Sequence, residues 1–103
     1  DKNNAPIAIN AMIGQQMRRL YAAKLASAQK DGLKTLMELC AIKYEFIAKK
    51  LISAARGFTL PQLTHAVELC AETDYNMKGG SPLEPEELLK ELVLRIAAGE
   101  ENA

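Results

Sequence analysis

Tryptophan is absent from this sequence, histidine occurs once and cysteine twice. Aromatic residues make up only 5% of the chain, so its core must be built from aliphatic side chains and alanine, as helix-on-helix packing favours. Cys40 and Cys70 lack a CxxC spacing, and His65 alone completes no ligand set for zinc. Both cysteines fall at inward helical positions and are expected to act as free thiols, packing as small hydrophobes. No apolar run approaches the roughly 18 residues that a membrane span requires, and no signal-peptide pattern opens the chain. A cytoplasmic (bacterial) location is the expectation. There is no glycine-rich phosphate loop, no nucleophile–base pair around His65 and no inward cluster of several carboxylates. Neither catalytic residue, metal nor cofactor is therefore expected.

What is present points to helices. A chain of 103 residues suits one domain, 1–103, and can close a core without staples. It opens on Asp1 rather than Met, as expected of a processed form or of a C-terminal piece of a larger chain. The formal net charge of zero conceals a division. Residues 1–56 carry ten Lys/Arg against four Asp/Glu, whereas residues 57–103 carry three against nine, a split of +6 and −6. Such a dipolar surface can steer association with a protein or a nucleic acid.

No segment alternates with period 2, and the apolar spacing predicts an all-α single bundle of about five helices. The first is predicted from near Asn4 to about Lys30, with Ile9, Met12, Ile13, Met17, Leu20 and Tyr21 along its apolar stripe and Asp31-Gly32 breaking it. A short second helix, Leu33 to about Cys40, turns Leu33, Leu36, Met37 and Cys40 inward. The third, roughly Tyr44 to Arg56, buries Ile47, Ala48, Leu51, Ile52, Ala54 and Ala55, and Gly57 stands where a left-handed cap residue is wanted. Thr59 to Gln62 reads as a capping box opening a fourth helix that reaches Lys78 before Gly79-Gly80. Pro85 opens a fifth, ending before Gly99, with Leu88, Leu89, Leu92, Val93, Ile96 and Ala97 inward.

Several residues break this pattern. Asp74 projects into the apolar stripe of the fourth helix beside Leu63, Val67, Cys70 and Ala71. A carboxylate there needs a partner, and Lys78, one turn on, is the candidate for a structural ion pair, with Arg18 or Arg19 as alternatives from the first helix. Leu94 projects to the outer side of the fifth helix among Glu87, Lys90 and Glu91, and Leu69 away from the main stripe of the fourth. Two leucines opposite complete core stripes suggest a second packing surface. Phe46 projects among Lys49, Lys50 and Ser53 on the polar side of the third helix. Leu69, Leu94 and Phe46 are therefore the candidate subunit-interface residues. An aromatic among lysines also suits nucleic acid, although the reading favoured by the spacing is a solvated lysine face with Phe46 folded into the turn. The second and third helices could form a helix-turn-helix whose DNA-contacting residues would be Lys43, Lys49, Lys50 and Arg56. Against that, no Asn or Gln lies between Tyr44 and Arg56 to read a base edge.

Residues 16–24, QMRRLYAAK, resemble the opening helix of the C-terminal domain in the delta subunit of the bacterial DNA polymerase III clamp loader. The resemblance continues through Lys49-Lys50-Leu51-Ile52 and Ala55-Arg56-Gly57-Phe58-Thr59-Leu60. It is strongest over residues 66–79, AVELCAETDYNMKG, and closes on the leucine-rich run Leu88–Ile96. It spans about Ile7 to Ala97, although Leu33–Tyr44 fits loosely and lacks the proline that often begins the third helix of such sequences. The resemblance implies a non-catalytic collar domain, part of a subunit of a DNA-directed DNA polymerase holoenzyme, which oligomerises with motor and delta-prime type subunits during DNA replication. It implies that clamp contact and ATP hydrolysis belong to other modules and subunits. Direct DNA contact by this domain would be weak. A helix-turn-helix DNA-binding module and a self-associating helical adaptor are the alternatives.

Overall fold

The computed structural model describes residues 4–102. Among them stand five α-helices and no strand, the all-α bundle that the spacing predicts. They are α1 (Asn4–Ala26), α2 (Gly32–Leu39), α3 (Glu45–Ala55), α4 (Leu60–Tyr75) and α5 (Pro85–Ala97). A wide turn, Asn76–Gly80, lies between α4 and α5 and is closed by Gly79 at φ +111°.

α1 is the spine and touches each of the other four helices. Its C-terminal half contributes Leu20, Ala23 and Ala26 to the larger core, completed by Leu36 from α2, Ile42 from the following turn, Ala48, Leu51 and Ala55 from α3, and Leu63 from α4. A smaller core joins Leu69 and Cys70 of α4 to Leu92 of α5, with Ile13, Leu89 and Ile96 against it. Met17 packs on both. The Cα frame measures 47 × 32 × 17 Å with a radius of gyration of 14.7 Å, against about 13 Å for a compact domain of this length. The bundle is therefore a slab, and a slab leaves much helix surface uncovered.

Helix boundaries follow local chemistry. α1 stops at Ala26, short of the predicted Lys30. The Ser27 hydroxyl donates to the Lys24 carbonyl at 2.8 Å, and Gly32 must pass directly over the Ala26 carbonyl. Asp31-Gly32 does mark the start of α2, and the Thr59 capping box forms as predicted. Gln62 N–H donates to Thr59 Oγ1 at 3.2 Å and Thr59 N–H donates to Gln62 Oε1 at 2.9 Å. Gly57 does not adopt the left-handed conformation expected of it. α3 ends instead in tight i→i+3 bonds, Gly57 N–H to Ala54 O and Phe58 N–H to Ala55 O, while Lys24 Nζ reaches the Ala55 carbonyl. The left-handed glycines are Gly79 and Gly99, and Ala41, between α2 and α3, takes φ +53°.

Three readings of the helix faces are corrected. In the first half of α1 the large apolar residues Ile9 and Met12 face solvent, Met12 at 67% exposure, while Pro6, Asn10 and Gly14 are buried. Small residues win there because α1 and α4 approach closely: a β-carbon on Gly14 would lie 3.5 Å from Cys70 Cβ, and Asn10 Nδ2 donates to the Cys70 carbonyl at 3.1 Å. Leu69 is the second correction. It is 4% exposed because α5 packs Leu92 over that side of α4, so it offers no surface to a partner. Ala54, Val93 and Ala97, expected inside, face outward.

Candidate interaction surface

α5 is built to present an outer face. Pro85 sits in its first turn, where a missing N–H costs nothing, and Glu86 and Glu87 complement the positive end of the helix dipole. Pro85, Leu88 and Leu92 fill its inner face. Leu94 therefore points away, at 69% exposure, with Val93 exposed beside it. Glu87, Lys90, Glu91 and Arg95 surround Leu94 in a shallow depression. An apolar centre with a charged rim has the layout of a protein-contact patch.

Arg95 is held there by a segment to which helical periodicity does not extend. After α5, Gly99 at φ +72° reverses the chain so that residues 99–102 fold back on the first half of α4. Gln62 Nε2 donates to the Gly99 carbonyl at 3.3 Å. Arg95 Nε donates to Glu100 Oε2 at 2.9 Å, and the Arg95 Nη2 group also engages Glu100. His65 Nε2 lies 2.8 Å from Glu100 Oε1, and its Nδ1 lies 2.8 Å from Asn102 Oδ1. The Arg95 hydrogen bond, with that of His65 second, brings the Glu100 carboxyl from its ordinary 4.5 down to about 2. The folded chain thus binds fewer protons than the unfolded one. The latch contributes its stability above pH 4.5 and loses it as pH falls toward 2. Backbone resonances of residues 99–102 are expected to lose their dispersed shifts across that window. Glu100→Gln should show a released tail already at neutral pH. A tail that stays docked in the variant would assign the latch to other contacts.

The second candidate surface lies at the start of α3. Tyr44 and Phe46 are 54% and 59% exposed, and their ring centroids lie 6.0 Å apart at a tilt of 31°. Lys43 Nζ is 5.9 Å from the Tyr44 ring, and Lys50 Nζ is 5.9 Å from that of Phe46. Lys49 pairs with Glu45 at 3.4 Å. Lys43, Lys49, Lys50 and Arg56 are all exposed, as the helix-turn-helix alternative requires, although α2 is only eight residues long.

Between α1 and α4 runs a groove lined by Asn10, Gly14, Arg18, Cys70, Asp74 and Lys78. Asp74 is part-exposed at its rim rather than buried mid-stripe, and Lys78 Nζ donates to its Oδ2 at 2.9 Å. Burial pushes the Cys70 thiol up, against the opposing charge of Arg18, so it stays protonated. Asn10 Oδ1 is buried with no hydrogen-bond partner among the described residues. Neither the tail latch nor Asn10 is evident from helical periodicity. The spacing of Pro6, Asn10 and Gly14, four residues apart, is the available signal for a close helix crossing.

Among the described residues no group of three or more His, Cys, Asp or Glu could hold a metal ion, and no helix is long and apolar enough to cross a membrane. Compared with known proteins, residues 1–96 match a family model described as the DNA polymerase III delta subunit, C-terminal domain. No curated protein and no solved structure matches the chain.

Proposed function

This chain belongs to the family of C-terminal domains of the DNA polymerase III delta subunit, and from that premise we propose that it is a non-catalytic assembly domain of the clamp loader. It packs helix against helix with the motor and delta-prime type subunits in a collar, in the cytoplasm, and Leu94 on α5 sits at the centre of one contact.

The observation that carries the reading is the outer face of α5, where a leucine stands exposed opposite a filled core stripe. Surface area supports it. The chain exposes 6720 Å², whereas a folded monomer of this mass is expected to expose about 5,700 Å². The excess, on the order of 1,000 Å², compares with the roughly 800 Å² per partner of a standard protein interface.

Co-elution with the other clamp-loader subunits tests the proposal. The unmodified chain is expected to co-elute. Leu94→Glu should abolish co-elution while leaving the melting temperature within about 2 °C, because exposed substitutions usually change stability by less than about 0.5 kcal/mol. If the chain never co-elutes, the assembly role is wrong. If Leu94→Glu still assembles, the contact lies on another face.

A further inference from the structure

We infer that copies of this chain associate head to tail, the outer face of α5 on one copy seating in the groove between α1 and α3 of the next. The association uses the α5 face already assigned to assembly, and so rests on that reading of the face. The groove, of about 320 Å³, is lined by Leu20, Ile47, Leu51 and Ala54, with Arg19 and Lys50 beside them. Leu20 and Leu51 belong to the larger core, and Ala54, small and exposed, leaves that core open to the surface here. An apolar floor of this kind takes the apolar stripe of a helix.

Charge names the occupant. No carboxylate lines the groove, and among the described residues neither Arg19 nor Lys50 is paired with one. Around Leu94 the balance is opposite. Arg95 bonds Glu100 and only approaches Glu91, at 3.8 Å, which leaves Glu87 and Glu91 set against Lys90. A leucine in an acidic rim thus matches an apolar floor in a basic one. The same opposition holds for the whole chain: residues 1–56, which supply α1, α2 and α3, carry +6, and residues 57–103, which supply α4 and α5, carry −6. Like faces repel. A pairing of α5 with α5 would set Glu87 and Glu91 against their own copies, and groove on groove would do the same to Arg19 and Lys50. The contact is therefore heterologous, with a knob on one copy and a groove on another. Each added copy leaves one of its faces open, so association continues beyond the dimer as concentration rises.

Sedimentation of the chain alone tests the inference. At low ionic strength the weight-average mass should climb above the monomer's 11.3 kDa as concentration rises. It should fall in about 1 M salt, where the Debye length is about 3 Å. Leu94→Glu spoils the knob, Arg19→Glu with Lys50→Glu reverses the groove, and each variant alone should sediment as a monomer. Mixed in equal amounts they should form a dimer that grows no further, since the first keeps its groove and the second its α5. A two-fold contact offers no such rescue. If melting shows that the charge reversal costs folding, Arg19→Gln with Lys50→Gln gives the same readout. The inference is overturned if the parent stays a monomer up to about 1 mM, a range that reaches millimolar dissociation constants. It is equally overturned if the folded variants fail to pair when mixed, or if the groove variant associates as the parent does. The groove variant keeps α5 and should still co-elute with sister subunits. A chain that co-elutes yet is monomeric alone refutes only the head-to-tail contact, and one that self-associates yet never co-elutes refutes only the clamp-loader role.

Discussion

Gly32→Ala is expected to destabilise the chain by about 3 kcal/mol, a large effect for one added methyl group. Gly32 is buried at the joint between α1 and α2, and a β-carbon there would overlap the Ala26 carbonyl oxygen and lie 2.8 Å from its carbon. Both are backbone atoms, so no rotamer change relieves the overlap and the two helix ends must separate. The better helix propensity of alanine returns at most about 1 kcal/mol. Thermal unfolding should show a fall on the order of 15 °C. Gly14→Ala is the control. Its β-carbon would meet Arg18 Nη1 at 3.1 Å, the mobile end of a long side chain, and Cys70 Cβ at an ordinary 3.5 Å. That variant should gain about 0.5–1 kcal/mol, since the helix interior loses a glycine. Equal effects at the two positions would mean that the close passage at Gly32 is absent in solution.

The second large effect is expected at Leu92. It is almost completely buried and forms the small core with Leu69 and Cys70. Leu92→Ala should cost about 3 kcal/mol through lost burial and the cavity left behind. For a domain of this size, with a total stability of about 5–15 kcal/mol, that is a substantial share. The loss should be uneven. The larger core draws on α1, α2, α3 and α4 without α5, so hydrogen exchange should accelerate in α5 and the adjoining face of α4 before it does in α2 and α3. Uniform acceleration through all five helices would show that the two cores open as one.

Elements whose signals are local could be read from the sequence. The capping box at Thr59 and the opening proline of α5 each depend on a few adjacent residues, and each formed, whereas α1 ends at Ala26, ahead of the break predicted at Asp31-Gly32. Faces were harder. Projection of α4 placed Leu69 outside because its widest apolar stripe faces α1, and nothing within α4 reports that α5 covers a second side. In α1 the large residues Ile9 and Met12 outrank Asn10 and Gly14 on any hydropathy scale, yet close approach to α4 selects the small ones. The latch involves His65 and Glu100, 35 residues apart, and periodicity carries no information at that separation. Leu94 stands exposed as its projection requires, because the other side of α5 is filled, whereas Phe46, expected to fold into the turn, is 59% exposed because its ring lies beside that of Tyr44 instead.

That α1 touches every other helix bears on how the chain is made. The spine leaves the ribosome ahead of its four partner helices, and α5 emerges after the other three. At about 5–20 residues per second, the 71 residues from Ser27 to Ala97 take roughly 4–14 s to appear. Throughout that interval part of the apolar side of α1 stays open to the cell's chaperones.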